Sequence, residues 1–190
     1  MERGGNMNRR LTFLILIMFF VGALGFSADN DGHDVTLTVS EIFEVVLNPA
    51  TTNFSMSISS ATPGVQPTNA TDNTDYDLHY TSVIDAGTHK ITVGGSGDFA
   101  PDGTTLYVSA TTRDGGSGLA TLGTGQSRVV IATDSAFTGG DIVTGIVSGY
   151  SGTATTEGAL LTYEFEVTTF ADLVVDAGKT ITVTYTMVDV

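Results

Sequence analysis

The 190-residue chain has no cysteine and no tryptophan, and only seven lysines and arginines stand against 21 aspartates and glutamates. Without cysteine there are no disulfides, no thiolate metal sites and no lipid-bearing cysteine, so the core alone must hold the fold. Lack of tryptophan removes the largest flat stacking surface available to a sugar-binding site. The formal charge of −14 repels phosphate backbones and anionic lipid, which disfavours nucleic acid and electrostatic membrane attachment. Three histidines are a sparse supply for a transition-metal centre.

One apolar run breaks the polar pattern. Arg9 and Arg10 lead into uncharged Leu11 to Val21, followed by small residues at Ala23, Gly25 and Ser27. A basic region, an apolar core and a small-residue cleavage pattern in that order read as a secretory signal peptide, residues 1–27. Cleavage sites fall after Gly25 or Ser27, and the run is shorter than the roughly 20 residues that span a bilayer. The expectation is a secreted, extracellular or cell-surface protein with no membrane contact after signal removal. Loss of three arginines and one glutamate leaves four basic against 20 acidic residues, a net −16. Residues 28–190 then have the length of a single domain.

Threonine, valine, isoleucine, glycine, serine and aspartate dominate this part, a composition of strands and turns. Period-two alternation marks Val35, Leu37 and Val39, then Phe54, Met56 and Ile58. It continues over 104–111, 127–133, 141–147, 160–167 and 180–188, while 41–47 suits a strand or a short helix. Turn chemistry separates the runs at Pro63-Gly64, Asp85 to Gly87, Pro101 to Gly103, Asp114 to Gly118, Gly139-Gly140 and Asp176 to Gly178. The fold class is therefore all-β: an antiparallel two-sheet β-sandwich of Greek-key or jelly-roll type. Residues 59–75 lack any strand pattern and read as the longest surface loop.

No catalytic motif is complete. Ser96 and Ser151 have Asp98 and Thr153 where a nucleophile elbow needs its second glycine. Gly123-Thr-Gly125 lacks the third glycine and the helix of a dinucleotide site. If Asp85-Ala-Gly87 closes a tight hairpin, Val83 pairs with His89 and His79 with Val93. The imidazoles then lie roughly 13 Å apart, too far to share zinc. An enzyme is not expected. No cofactor is required by the sequence; calcium is the candidate, because Asp72, Asp75 and Asp77 crowd one passage with Asn73 and hard cations collect oxygen ligands, the alternative being that Asp and Asn simply form turns there. The leader Asp29 to Asp34 is a second acidic cluster. Asn53 and Asn69 head N-glycosylation sequons, with Asn69 in the expected loop.

The segment Val35 to Ser40 and the carboxy-terminal run Thr180 to Val190, set in a threonine-rich, cysteine-free chain behind a signal peptide, resemble prokaryotic extracellular fibre subunits. The similarity is to camelysin-type matrix fibre proteins, spore-coat-U-like proteins and donor-strand pilins, although the disulfides of the last are missing. The resemblance implies a homopolymer, its partner being another copy of itself. Thr180 to Val188 has no charge, proline or glycine, an aggregation hazard if left as an open edge. It is expected either inside a sheet or covered by a neighbour's strand. In the second case Ile181, Val183, Tyr185 and Met187 belong to the acceptor, and Val35, Leu37 and Val39 to the donor. The competing function is an adhesive or carbohydrate-binding module, for which only Tyr76, Tyr80, Tyr107, Tyr150, Tyr163 and Tyr185 provide tyrosine surfaces.

Overall fold

β-Branched and aromatic residues at alternate positions fit a pleated, half-buried surface. They carry the chain through ten strands in a computed structural model that describes residues 34–50, 53–59, 62–113 and 122–190. These are β1 (Ile42–Asn48), β2 (Asn73–Val83), β3 (His89–Gly97), β4 (Thr104–Thr112) and β5 (Thr124–Gly125). They continue as β6 (Val129–Thr133), β7 (Gly140–Ile146), β8 (Gly149–Tyr150), β9 (Ala159–Val167) and β10 (Ile181–Asp189). One sheet has the order β1-β2-β9-β4-β6, with β8 also pairing β2; the other is β10-β3-β7-β5. Every strand pairing among the described residues is antiparallel, and the two sheets form a β-sandwich. Strands and core belong to the unit Val39–Val190; residues 34–38 fall in a separate unit, exposed and without regular structure.

The inward set of each strand meets its counterpart between the sheets. Leu78, Val108 and Leu161 of the first sheet and Ile91, Ile142 and Val143 of the second are fully buried in one cluster. Gly95 lies where β3 passes beneath Phe137: a Cβ there would come 2.6 Å from Phe137 Cδ1 and 3.0 Å from Ile131 Cγ2. Its neighbour Gly94 has open space at the same position.

The two flanks of the sandwich differ. At the β5/β6 flank, backbone bonds stitch the sheets together: Ala110 N–H to Gln126 O (2.7 Å), Gln126 N–H to Ile142 O (2.9 Å) and Thr138 N–H to Ile131 O (3.1 Å). The opposite flank ends in two long edge strands, β1 and β10, with no ladder between them among the described residues.

Several expectations need correction. The Asp85–Gly87 turn does not close a hairpin; β2 and β3 lie in different sheets, and Val83 pairs with Ile42 while His79 faces Val46. The reason is occupancy. β1 takes one side of β2 and β9 with β8 the other, and Ser148 Oγ bonds both the N–H and the carbonyl of Ile84 (2.9 and 3.3 Å). Residues 54–58 form no ladder, although Met56 and Ile58 are half-buried and Ser55 and Ser57 exposed, as alternation requires. Residues 35–40 likewise form no strand and are exposed. The ambiguous 41–47 is β1, and β2 begins inside the expected loop, at Asn73. The signal peptide, the leader cluster up to His33 and the Asp114–Gly118 turn apart from Arg113 before it lie outside the described residues.

Candidate functional site

The carboxy-terminal strand supplies the first feature. In an antiparallel ladder, alternate residues direct both main-chain groups toward the partner and the others direct them away. The register pairs Ile181 with Gly97 through Asp189 with His89. Asp98 N–H bonds Thr180 O (3.0 Å) and Val190 N–H bonds Thr88 O (3.1 Å). Even-numbered residues of β10 therefore bond β3, and the N–H and C=O groups of Ile181, Val183, Tyr185, Met187 and Asp189 face off the sheet. Among the described residues no strand pairs that side.

The side chains of the same odd-numbered residues turn inward. Met187 is buried in the core, and Ile181, Val183 and Tyr185 pack against it, while Thr182, Thr184 and Thr186 are exposed. Tyr185 crosses the sandwich to place its hydroxyl 2.7 Å from that of Tyr163 on β9. Burial pushes the Tyr163 phenol up to about 12 and raises that of Tyr185 as well. The four apolar residues expected of an assembly strand are thus committed to their own core; what the edge offers is main chain. Val35, Leu37 and Val39 are 67%, 87% and 82% exposed.

A polar junction closes one end of this flank. Asp189 and His89 are a non-hydrogen-bonded cross-strand pair, the geometry in which Cα atoms approach closest and side chains share a face. Glu41, just before β1, reaches the same point from the other sheet. Its Oε1 lies 3.3 Å from His89 Nε2, and one ligand atom from each of Glu41, His89 and Asp189 lies within 4.8 Å of the others. His89 is fully buried, its Nδ1 lies 2.8 Å from Ser82 Oγ, and the Phe43 ring packs on the imidazole at 5.4 Å between centroids. Ser82 is fully buried and pairs with Phe43 across the β1–β2 ladder, so both sheets build this pocket.

The aspartates expected to gather calcium do not converge in this way. Asp75 Oδ2 accepts from Asn73 Nδ2 at 2.9 Å, and Asp72 is exposed. Asp77 is buried, with Oδ1 2.9 Å from Arg113 Nη1. Burial raises the Asp77 carboxyl above its ordinary value, and Arg113 and His79 only partly offset it. Among the described residues the acid and histidine group close enough to share an ion is Glu41, His89 and Asp189. Both sequon asparagines are exposed, and Asn69 Oδ1 accepts the Val167 N–H at 3.1 Å. Tyr76, Tyr80 and Tyr163 are core residues, leaving Tyr150 as the exposed tyrosine.

Sequence reasoning missed Glu41, Ser82 and Asp189 and misplaced His89. These residues are scattered along the chain, and only the β3–β10 register and the β1–β2 pairing bring them together. The family models, the curated proteins and the solved structures offer no match to this chain.

Proposed function

We propose that the chain is a secreted structural subunit that joins copies of itself by β-strand addition. The outer edge of β10 is the acceptor and the segment Asp34 to Ser40 the donor. The observation that carries the reading is the edge itself: nine residues long, free of charge, proline and glycine up to Val188, with alternate main-chain groups facing outward. Monomeric proteins blunt such an edge with lysine, proline or a bulge; this one ends only in Asp189. The donor's alternating Val35, Leu37 and Val39 are exposed and belong to no strand. Because donor and acceptor are different segments, the contact is head-to-tail and propagates wherever its rotation does not close a ring, and the acidic surface limits lateral clumping.

Two changes test it by electron microscopy and sedimentation. Val183→Pro removes an outward N–H that β3 does not use, so the β3 ladder survives while strand addition is blocked. A chain starting at Glu41 lacks the donor. Both are expected to stay dispersed where the unmodified protein forms filaments, and a peptide spanning Asp34 to Ser40 should bind the truncated chain. Filaments from the truncated chain, or from a folded Val183→Pro variant, refute the reading.

A further inference from the structure

We infer that Glu41, His89 and Asp189 form a binding site for a divalent transition-metal ion of the zinc class, which staples β1 to β10 across the open flank. The inference does not rest on the assembly reading.

The imidazole carries the argument. His89 is fully buried, and Ser82 Oγ, itself buried, sits 2.8 Å from Nδ1. With Nδ1–H donated to Ser82, the Nε2 lone pair points at two carboxylates. Three sets of electron pairs then converge with nothing positive between them, an arrangement that calls for a cation. Metal-bound histidines are oriented in this way, by a bond from the ring nitrogen that does not ligate.

The spacing fits. Ligands about 2.0–2.1 Å from a tetrahedral ion lie roughly 3.3–3.4 Å apart; Nε2 and Glu41 Oε1 are 3.3 Å apart. The Asp189 oxygen is within 4.8 Å, on an exposed side chain at the end of its strand whose Oδ1 also accepts the Val190 N–H at 2.8 Å. One imidazole and two carboxylates leave a fourth position for water.

The donor set also selects the ion. Calcium wants six to eight oxygens, more than two carboxylates provide, whereas nitrogen with oxygen favours zinc, cobalt, nickel and copper over magnesium and calcium. The ion would be structural. Glu41 comes from the first sheet, and His89 and Asp189 from the second, so one ion fixes the root of the leader at Glu41 against the last residues of β10.

The test uses the purified protein, stripped with chelator, then titrated separately with zinc, cobalt, calcium and magnesium. Zinc at 100 times its Kd should multiply the folded-to-unfolded ratio about 100-fold, a rise in Tm of roughly 5–10 °C for a domain of this size. Cobalt should give visible absorption of a four-coordinate site, and saturating calcium or magnesium no comparable shift. Glu41→Gln and Asp189→Asn, both exposed and expected to fold, should each weaken zinc binding at least tenfold, and Ser82→Ala by about 10–100-fold through loss of the imidazole's orientation. Absence of stoichiometric zinc binding would reduce the cluster to a histidine–carboxylate contact and overturn the inference. So would zinc binding that survives Glu41→Gln and Asp189→Asn unchanged, or an equal response to calcium.

Discussion

Tyr185→Phe isolates a hydroxyl pair that ties the edge strand to the opposite sheet. Tyr163 is 2% exposed and its hydroxyl lies 2.7 Å from that of Tyr185. Around it the rings of Phe54 and Tyr76 sit at 4.9 and 6.1 Å between centroids. Removing one hydroxyl keeps the ring packing but leaves the other buried without this partner, a cost of about 1–3 kcal/mol. Removing both leaves two apolar rings of nearly the same shape, which is close to neutral. Tyr163→Phe and Tyr185→Phe should therefore each lower the urea midpoint by about 1 M, taking a cost near 2 kcal/mol and an m-value near 2 kcal/mol per M. The double variant should recover most of that loss, so that the coupling energy is about 3–4 kcal/mol in magnitude. Equilibrium unfolding followed by circular dichroism measures all four proteins. Additive single effects, or singles costing less than about 0.5 kcal/mol, would show that the pair contributes nothing across the sandwich.

Alkaline titration should unfold the protein between pH 10 and 12. The phenols of Tyr80, Tyr163 and Tyr185 are raised by burial from 10.0, so the unfolded chain releases protons that the folded one keeps. Stability is whole below pH 10 and falls by up to about 1.4 kcal/mol per pH unit for each tyrosine above it; the double phenylalanine variant should show a shallower slope. For Asp77, raised above 3.8 by burial, the folded state holds its proton more tightly than the unfolded one. The wild type should then gain stability relative to Asp77→Asn as pH falls from 7 toward 3.8, and a difference that does not change with pH would refute this. Gly95→Ala should cost about 1–3 kcal/mol by overpacking against Phe137 and Ile131. Gly94→Ala, with nothing in its way, should be stabilising by about 0.4–1 kcal/mol; thermal melts of the two side by side check the contrast.

Alternation made the strands legible because burial has the same period as the backbone pleat. Residues 104–111, 160–167 and 180–188 fall within one residue of β4, β9 and β10. Pairing was less legible. Asp85-Ala-Gly87 announces a reversal of direction, but turn chemistry does not say which sheet receives the next strand, and β2 had no free side for β3. Phe54 to Ile58 has the side-chain period of a strand without a ladder, since half-burial of Met56 and Ile58 needs only a surface to lie on. The Glu41–His89–Asp189 junction could not be read in advance, because its three residues meet only through two long-range registers. The aspartates weighed for calcium do not gather because Asp72 precedes β2, Asp75 accepts from Asn73, and Asp77, beyond the register shift between Asn73 and Tyr76, is drawn to Arg113.

The alternation of the chain between sheets has a consequence for the order of events in folding. From β2 onward nearly every connection crosses from one sheet to the other, so consecutive strands cannot condense as independent hairpins. β3 waits for β10, whose Thr186 carbonyl takes a bond from Thr92 Oγ1 94 residues earlier. Chains dominated by such distant pairings fold in milliseconds to seconds, because loop closure precedes any reward. The second sheet lacks the strand outside β3 until the nine-residue β10 arrives. A nascent chain of this kind stays threadable until β10 is made, and a truncation that removes β10 should leave β3 with β7 alone and the half-built sandwich prone to clump.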